Sequence, residues 1–214
     1  MSSTSRPAAS SPSLAEFAGA ALLREVPEGA FALVAPDLLA VTVNGRLRAR
    51  AESVVAGSGS LRITPASRFA SLAGKDASGG VLAGIDGRGR VLLADGGRRI
   101  TLLLLKPDEA LGVAPHSLLA VEDAVSVSAL PVRIPLPKPV EWHAVVVSGP
   151  GRLAFLSRGE PHVIRVTPDL PLFVRAGAAL AWSAGLVPVG RAGSAGDARV
   201  AFSGDGFVFV QSGA

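Results

Sequence analysis

Three stretches of this chain share one plan: two glycines spaced by one residue, then an unbroken apolar run closed by polar or glycine residues. They are Gly87-Arg-Gly-Arg-Val-Leu-Leu-Ala-Asp-Gly96, Gly149-Pro-Gly-Arg-Leu-Ala-Phe-Leu-Ser-Arg-Gly159 and Gly204-Asp-Gly-Phe-Val-Phe-Val-Gln-Ser-Gly213. Glycine reaches φ > 0 without steric cost, so each pair reads as a turn. A run such as Phe207-Val-Phe-Val210 is too short for a buried helix and reads as a strand covered on both faces. A second alignment rests on Asp37, Asp108 and Asp169. Eight positions on stand Gly45, His116 and Gly177; twelve on stand Ala49, Ala120 and Ala181; seventeen on stand Val54, Val125 and Leu186. Coincidence of turn and apolar positions in the same order predicts a threefold β-meander repeat, each copy stacked on the next over a shared core.

The remaining chain fits this frame. Residues 1–13 are rich in Ser and Pro and are expected to be a disordered tail. Ser13-Leu-Ala-Glu16 matches a capping box, and Leu14, Phe17, Ala18, Ala21 and Leu22 follow at helical spacing, so a short helix over 14–24 is expected. Strands are expected at Phe31–Ala35 and from Leu38 to Val43. Asn44-Gly45 then reads as a two-residue hairpin turn returning through Arg46–Ala51. A second hairpin signal lies at Gly57-Ser-Gly59, and residues 65–80 read as a loop. Turns at Asp95-Gly-Gly97 and Lys106-Pro-Asp108 bracket a strand over Ile100–Leu105. Further strands are expected at Leu111–Val113, Leu118–Ala120 and Val125–Val127. Pro131, Pro135, Pro137 and Pro139 predict a stiff connector over 131–140. The resulting division is two repeat units over 14–130, the connector, and a final repeat over 141–214 packed with the first as one unit.

The segments Val43-Asn-Gly-Arg-Leu-Arg-Ala49, Gly89-Arg-Val-Leu-Leu-Ala94, Leu118-Leu-Ala120, Ala179-Leu-Ala-Trp-Ser183 and Phe202-Ser-Gly-Asp-Gly-Phe-Val-Phe-Val-Gln211 together resemble the AIM24 family, over residues 37 to 212. Where many members carry Gly-Ala-Met-Val, this chain has Glu52-Ser-Val-Val55. The resemblance implies an all-β fold, a double-stranded β-helix sandwich similar to the tryptophan RNA-binding attenuation protein, that associates into larger assemblies. It implies no enzymatic activity. A self-assembling scaffold or stress-associated factor is the expected role, with an RNA- or anionic-ligand-binding module as the alternative.

The side chains offer little catalytic chemistry. A cupin-like metal enzyme, the weaker alternative, needs imidazoles and a carboxylate converging on one ion. His116, His143 and His162 are the only histidines, and no two sit two residues apart on one strand. No metal, cofactor or catalytic residue is expected. Gly57-Ser-Gly-Ser60 lacks the helix that a nucleophile elbow needs. Gly87-Arg-Gly and Gly149-Pro-Gly lead into strands, so no helix end meets an anion there. Arg46, Arg48 and Arg50 alternate with Leu47, Ala49 and Ala51 and form the one candidate binding stripe; a solvated face that blunts edge pairing is the favoured reading. Trp142 and Trp182 are the only indoles, and Trp182, one position after the repeated Ala181, is expected in the core or at a subunit interface.

Composition bears on partners. The net charge is only +4, with three lysines among 21 basic residues, which is small for a protein that binds nucleic acid through phosphates. No apolar run is long enough to span a membrane, and there is no cysteine, so disulfides and thiolate metal sites are excluded. A cytoplasmic location is expected. Hydrophobic residues make up 49% and charged residues 18%. A two-layer sandwich leaves one face of each strand to solvent, so strands apolar on both faces predict a homo-oligomer, a trimer or larger ring, with Trp182 near an interface.

Overall fold

A computed structural model describes residues 13–21, 31–64, 82–136, 138, 140–193 and 197–212. Residues 1–12 of the tail expected over 1–13, the loop over 65–80 and residues 22–24 lie outside the described residues. The expected capping box forms: Ser13 N donates to Glu16 Oε2 at 2.7 Å and Glu16 N to Ser13 Oγ at 3.3 Å, opening helix α1 (Leu14–Ala21).

The rest is strand. The first repeat holds β1 (Phe31–Ala35), β2 (Leu38–Arg50), β3 (Val54–Thr64) and β4 (Leu82–Leu93). The second holds β5 (Arg99–Leu105), β6 (Ala110–Val113), β7 (Leu118–Glu122), β8 (Ser126–Ile134), β9 (Val140–Ser148) and β10 (Gly151–Ser157); it runs past the expected boundary at 141, because β9 pairs with β6 and β8, and β10 with β5 and β7. The third holds β11 (His162–Val166), β12 (Leu172–Arg175), β13 (Ala179–Ser183), β14 (Val187–Ala192), β15 (Ala198–Ser203) and β16 (Gly206–Val210). They form three antiparallel sheets. One runs β3-β4-β2-β7-β10-β5 with β1 beside β2, the second β11-β16-β13-β6-β9-β8, the third β12-β15-β14. The fold is thus an all-β sandwich.

Repeats two and three match turn for turn. Glu109 N donates to Lys106 O, and Leu170 N to Thr167 O, closing the Pro-Asp turns. Val125 N donates to Glu122 O at 3.1 Å, and Leu186 N to Ser183 O at 2.9 Å, closing the turns after β7 and β13. The aligned Ala49, Ala120 and Ala181 are all fully buried. The first repeat is built differently. Asn44-Gly45 makes no hairpin: β2 runs through it, paired with β4 without interruption from Leu39↔Leu93 to Arg50↔Leu82. Nor does Gly57-Ser-Gly59 turn the chain, since β3 stays in register with β4 there. Gly87 and Gly89 likewise lie inside β4 rather than in a turn ahead of it.

The glycines bend this ribbon without ending it. Gly45, Gly59 and Gly87 have φ of +113°, +93° and +127°, and Gly45 pairs directly with Gly87. A straight strand of β4's length would span roughly 35–40 Å. Yet Arg50, paired with Leu82 at one end, also reaches Asp95 beyond the other end, at 3.8 Å. The ribbon therefore folds back on itself, enclosing Val43, Leu47, Ile85 and Val91. Two-residue signals that usually reverse a single hairpin here bend three paired strands together.

Three clusters fill the layers. One lies within the folded seven-stranded sheet, a second (Leu105, Val113, Val121, Phe155, Leu180) joins it to the six-stranded sheet, and a third (Trp142, Trp182, Phe202, Val208) joins that to the three-stranded sheet. The expectation of only two layers is therefore corrected: a third layer of strands comes from the chain itself. Ile100 and Leu102 of β5 face one cluster, Leu103 and Leu105 another. Residues 131–134 are also not a connector. They finish β8, paired with β9 from Pro131↔His143 to Ile134↔Val140. Pro131 sits on the edge strand of its sheet, where a missing N–H is tolerated.

Candidate functional site

The arginine stripe separates into three different environments. Leu47 and Ala49 point into the core as the alternation requires, at 2% and 0% exposure. On the other face, Arg46 is exposed and pairs with Asp86 at 3.5 Å. Arg48 donates to the carbonyls of Asp123 and Val125. Arg50 is 3% exposed; its Nε donates to Leu118 O at 2.6 Å and a terminal nitrogen to Pro115 O at 2.7 Å. The favoured reading, a solvated stripe, holds for Arg46 alone. Turns of the second repeat cover the other two, so both act as struts tying repeat one to repeat two.

Around Arg50 lies a compact polar cluster. Asp95 bonds Arg98, and Ser53 Oγ donates to the same carboxylate at 3.4 Å. Arg98 also donates to His116 O at 2.8 Å. His116 Nε2 is buried and has no hydrogen-bond partner among the described residues. Burial, then the charges of Arg98, Arg50 and Arg158, push its pKa down to about 4. The imidazole is thus held neutral among arginines, while the Asp95 carboxylate is bonded to Arg98 and Ser53. His143 lies 3.8 Å from Glu141, and His162 is exposed on β11. Among the described residues no group of three His, Asp or Glu is placed to hold a metal ion.

Trp182 is a core residue, not an interface anchor. It is 1% exposed, stacks on Trp142 at 5.3 Å between centroids, and meets Phe202 at 5.2 Å. Gly112 on the neighbouring strand makes room for its indole; a Cβ there would overlap the ring.

Among the exposed surfaces of the described residues, two bear on binding, and sequence reading found neither. The first is β11, the edge of the six-stranded sheet, with its first four residues exposed. Val163 is 55% exposed and Ile164 36%, on opposite faces of the strand, with Phe207 beside them at 44%. Its one cation, Arg165, is paired with Asp205 and lies over the Phe207 ring.

The second is the outer face of the three-stranded sheet. Register puts Arg175 opposite Arg199 and Arg199 opposite Arg191, a row of three guanidinium side chains across adjacent strands. Strands lie about 4.8 Å apart, and like charges directly opposite destabilise a sheet by roughly 0.2–1 kcal/mol per pair. The next row on the same face is apolar: Phe173, Ala201 and Val189. Phe173 is 66% exposed, with the Arg199 guanidinium 5.9 Å from its ring centre. Asp197 accepts from Arg199 at 3.0 Å, and its pKa is lowered by that bond most of all. Among the described residues neither Arg175 nor Arg191 has a carboxylate within ion-pair distance. The three arginines are 24 residues apart from first to last in sequence, so only the register reveals the row.

No helix among the described residues is long and apolar enough to cross a membrane. No protein-family model matches the chain, and none of the curated proteins matches it. Among solved structures it is similar to a crystal structure of a Streptococcus pyogenes protein determined by a structural genomics consortium. That likeness has a TM-score of 0.66 at 16% identity and covers 85% of this chain and 91% of that one. At such identity the likeness is one of fold.

Proposed function

We propose that this protein is a non-enzymatic, AIM24-like cytoplasmic scaffold that assembles with copies of itself. The observation that carries the reading is β11. An edge strand with unpaired N–H and C=O groups and apolar side chains on both faces is a template for another strand. Natural edges are usually blunted by charge, proline or a bulge, and here the one charged residue is already neutralised by Asp205. Pairing β11 with β11 of a second copy extends the six-stranded sheet across the assembly and covers Val163, Ile164 and Phe207. The resemblance to a family whose members associate supports the same reading. The buried clusters around Arg50 and His116 support a structural rather than catalytic use of polar residues.

The test is mass in solution. Light scattering coupled to size-exclusion chromatography at micromolar concentration should give a multiple of 21.6 kDa. Val163→Lys, which places a charge on the edge, should return it to one chain. A single-chain mass for the wild-type protein, or an unchanged assembly in the variant, contradicts the reading.

A further inference from the structure

From the open edge of β12 and the arginine row that ends on it, we infer a docking site for an extended acidic segment of another protein, added to the three-stranded sheet as a fourth strand.

The internal repeat shows what the edge is missing. Sixty-one residues earlier, Leu111, Gly112 and Val113 of β6 align with Leu172, Phe173 and Val174 of β12. β6 has a strand on each side: β9 on one, and on the other β13 of the following repeat, through Val113↔Ala181, Gly112↔Trp182 and Leu111↔Ser183. β12 has β15 on one side, and among the described residues no strand pairs with it on the other. The opposite edge is closed off differently, since Gly190 of β14 lies against the backbone of Arg133 on β8.

Charge decides the occupant. A strand added beside β12 continues the row Arg191–Arg199–Arg175, and its side chain opposite Arg175 meets a row balanced by Asp197 alone. A carboxylate there forms a charge-assisted pair and relieves the repulsion of the row. Two residues along, an apolar side chain meets the exposed Phe173; on the inner face, apolar side chains continue the layer of Leu172 and Val174. The chain's own edge strands do not fit this pattern. β1, β3, β5, β8, β11 and β14 contain no Asp or Glu, and five of them carry an arginine. A second copy would add an uncompensated or positive strand to the row. The site thus differs from β11, whose apolar, neutralised edge suits self-pairing.

The test uses fluorescence anisotropy on the full chain with labelled peptides. One has the core Val-Ala-Val-Asp-Val, one replaces its aspartate with lysine, and one replaces its central valine with proline. The aspartate peptide should bind in the micromolar range, and the lysine peptide about tenfold or more weakly. The proline peptide, which cannot complete a strand ladder, should not bind. In the protein, changing Arg175, Arg191 and Arg199 together to Ala should weaken the aspartate peptide about tenfold and flatten its salt dependence. Circular dichroism of that variant checks that the fold is kept, while the proline and lysine arms use the wild-type chain. Equal binding of the aspartate and lysine peptides, or of the proline peptide, removes the inference. So does no binding at all. Loss of the assembly in the triple variant would mean that a second copy occupies the edge. Displacement of the peptide by poly(U) RNA, lost in the same variant, would assign the row to nucleic acid. Both results overturn the proposal.

Discussion

Replacing Arg50 by Ala tests whether the sequence-visible arginine stripe is a strut or a surface. The side chain is buried and serves two carbonyls, Leu118 O and Pro115 O, while sitting 3.8 Å from Asp95 and 3.9 Å from Glu52. Truncation leaves both carbonyls without that donor and leaves Asp95 with Arg98 as its remaining cation. An unsatisfied buried acceptor costs about 1–3 kcal/mol, and removing one partner of a buried charge cluster about 3–5 kcal/mol in all. At about 2–4 °C per kcal/mol for a chain of this size, the melting temperature should fall roughly 6–20 °C. Arg46→Ala, which removes an exposed pair whose side chains are 54% and 42% accessible, should cost about 0–1 kcal/mol. Arg50→Lys should recover only part of the loss, because an ammonium lacks the fork that spans two carbonyls. Urea unfolding, read at the midpoint with the slope held fixed, measures all three. A loss below about 1 kcal/mol for Arg50→Ala, or equal losses at positions 46 and 50, would refute the reasoning.

His116 makes stability pH-dependent. Its folded pKa of about 4 lies below the ordinary 6.5, so the unfolded chain binds the proton first. The contribution of the neutral imidazole is full above 6.5 and is lost as pH falls toward 4, about 3 kcal/mol in all; His116→Asn should flatten that part of a stability-versus-pH curve. Gly206→Val should cost about 1–3 kcal/mol. The cause is not a positive φ, which Gly204 has and Gly206 lacks, but a Cβ only 2.8 Å from Ser183 Cβ and 3.1 Å from Leu186 Cγ. An unchanged melting temperature in that variant would show that the turn can give way. Gly112→Ala drives a methyl into the Trp182 indole, so tryptophan fluorescence should shift and stability fall by at least about 2 kcal/mol.

Much of the fold was legible because turns and strand interiors leave local marks. The capping box at Ser13, the Gly96-Gly97 turn, the Pro-Asp turns and the doubly buried Leu118-Leu-Ala120 are all where residue chemistry puts them. Asn44-Gly45 misled because a positive φ marks a change of direction, not the end of a ladder; whether neighbouring strands follow the bend is a tertiary matter. The Arg46–Arg48–Arg50 alternation assigned faces correctly but could not say what covers a face, and residues 114–125, from the next repeat, cover this one. The Arg175–Arg199–Arg191 row was invisible for a related reason. Cross-strand neighbours are set by register, and no local pattern joins three residues on separate strands.

Self-pairing through β11 is tested most directly by hydrogen exchange on residues 162–166 as a function of concentration. Amides of this strand that point away from β16 have no strand partner among the described residues, and pairing with a second copy protects them. The account predicts slow exchange there at high micromolar concentration and faster exchange on dilution, with β13 and β7 unchanged throughout. Equally fast exchange of those amides at every concentration would contradict it.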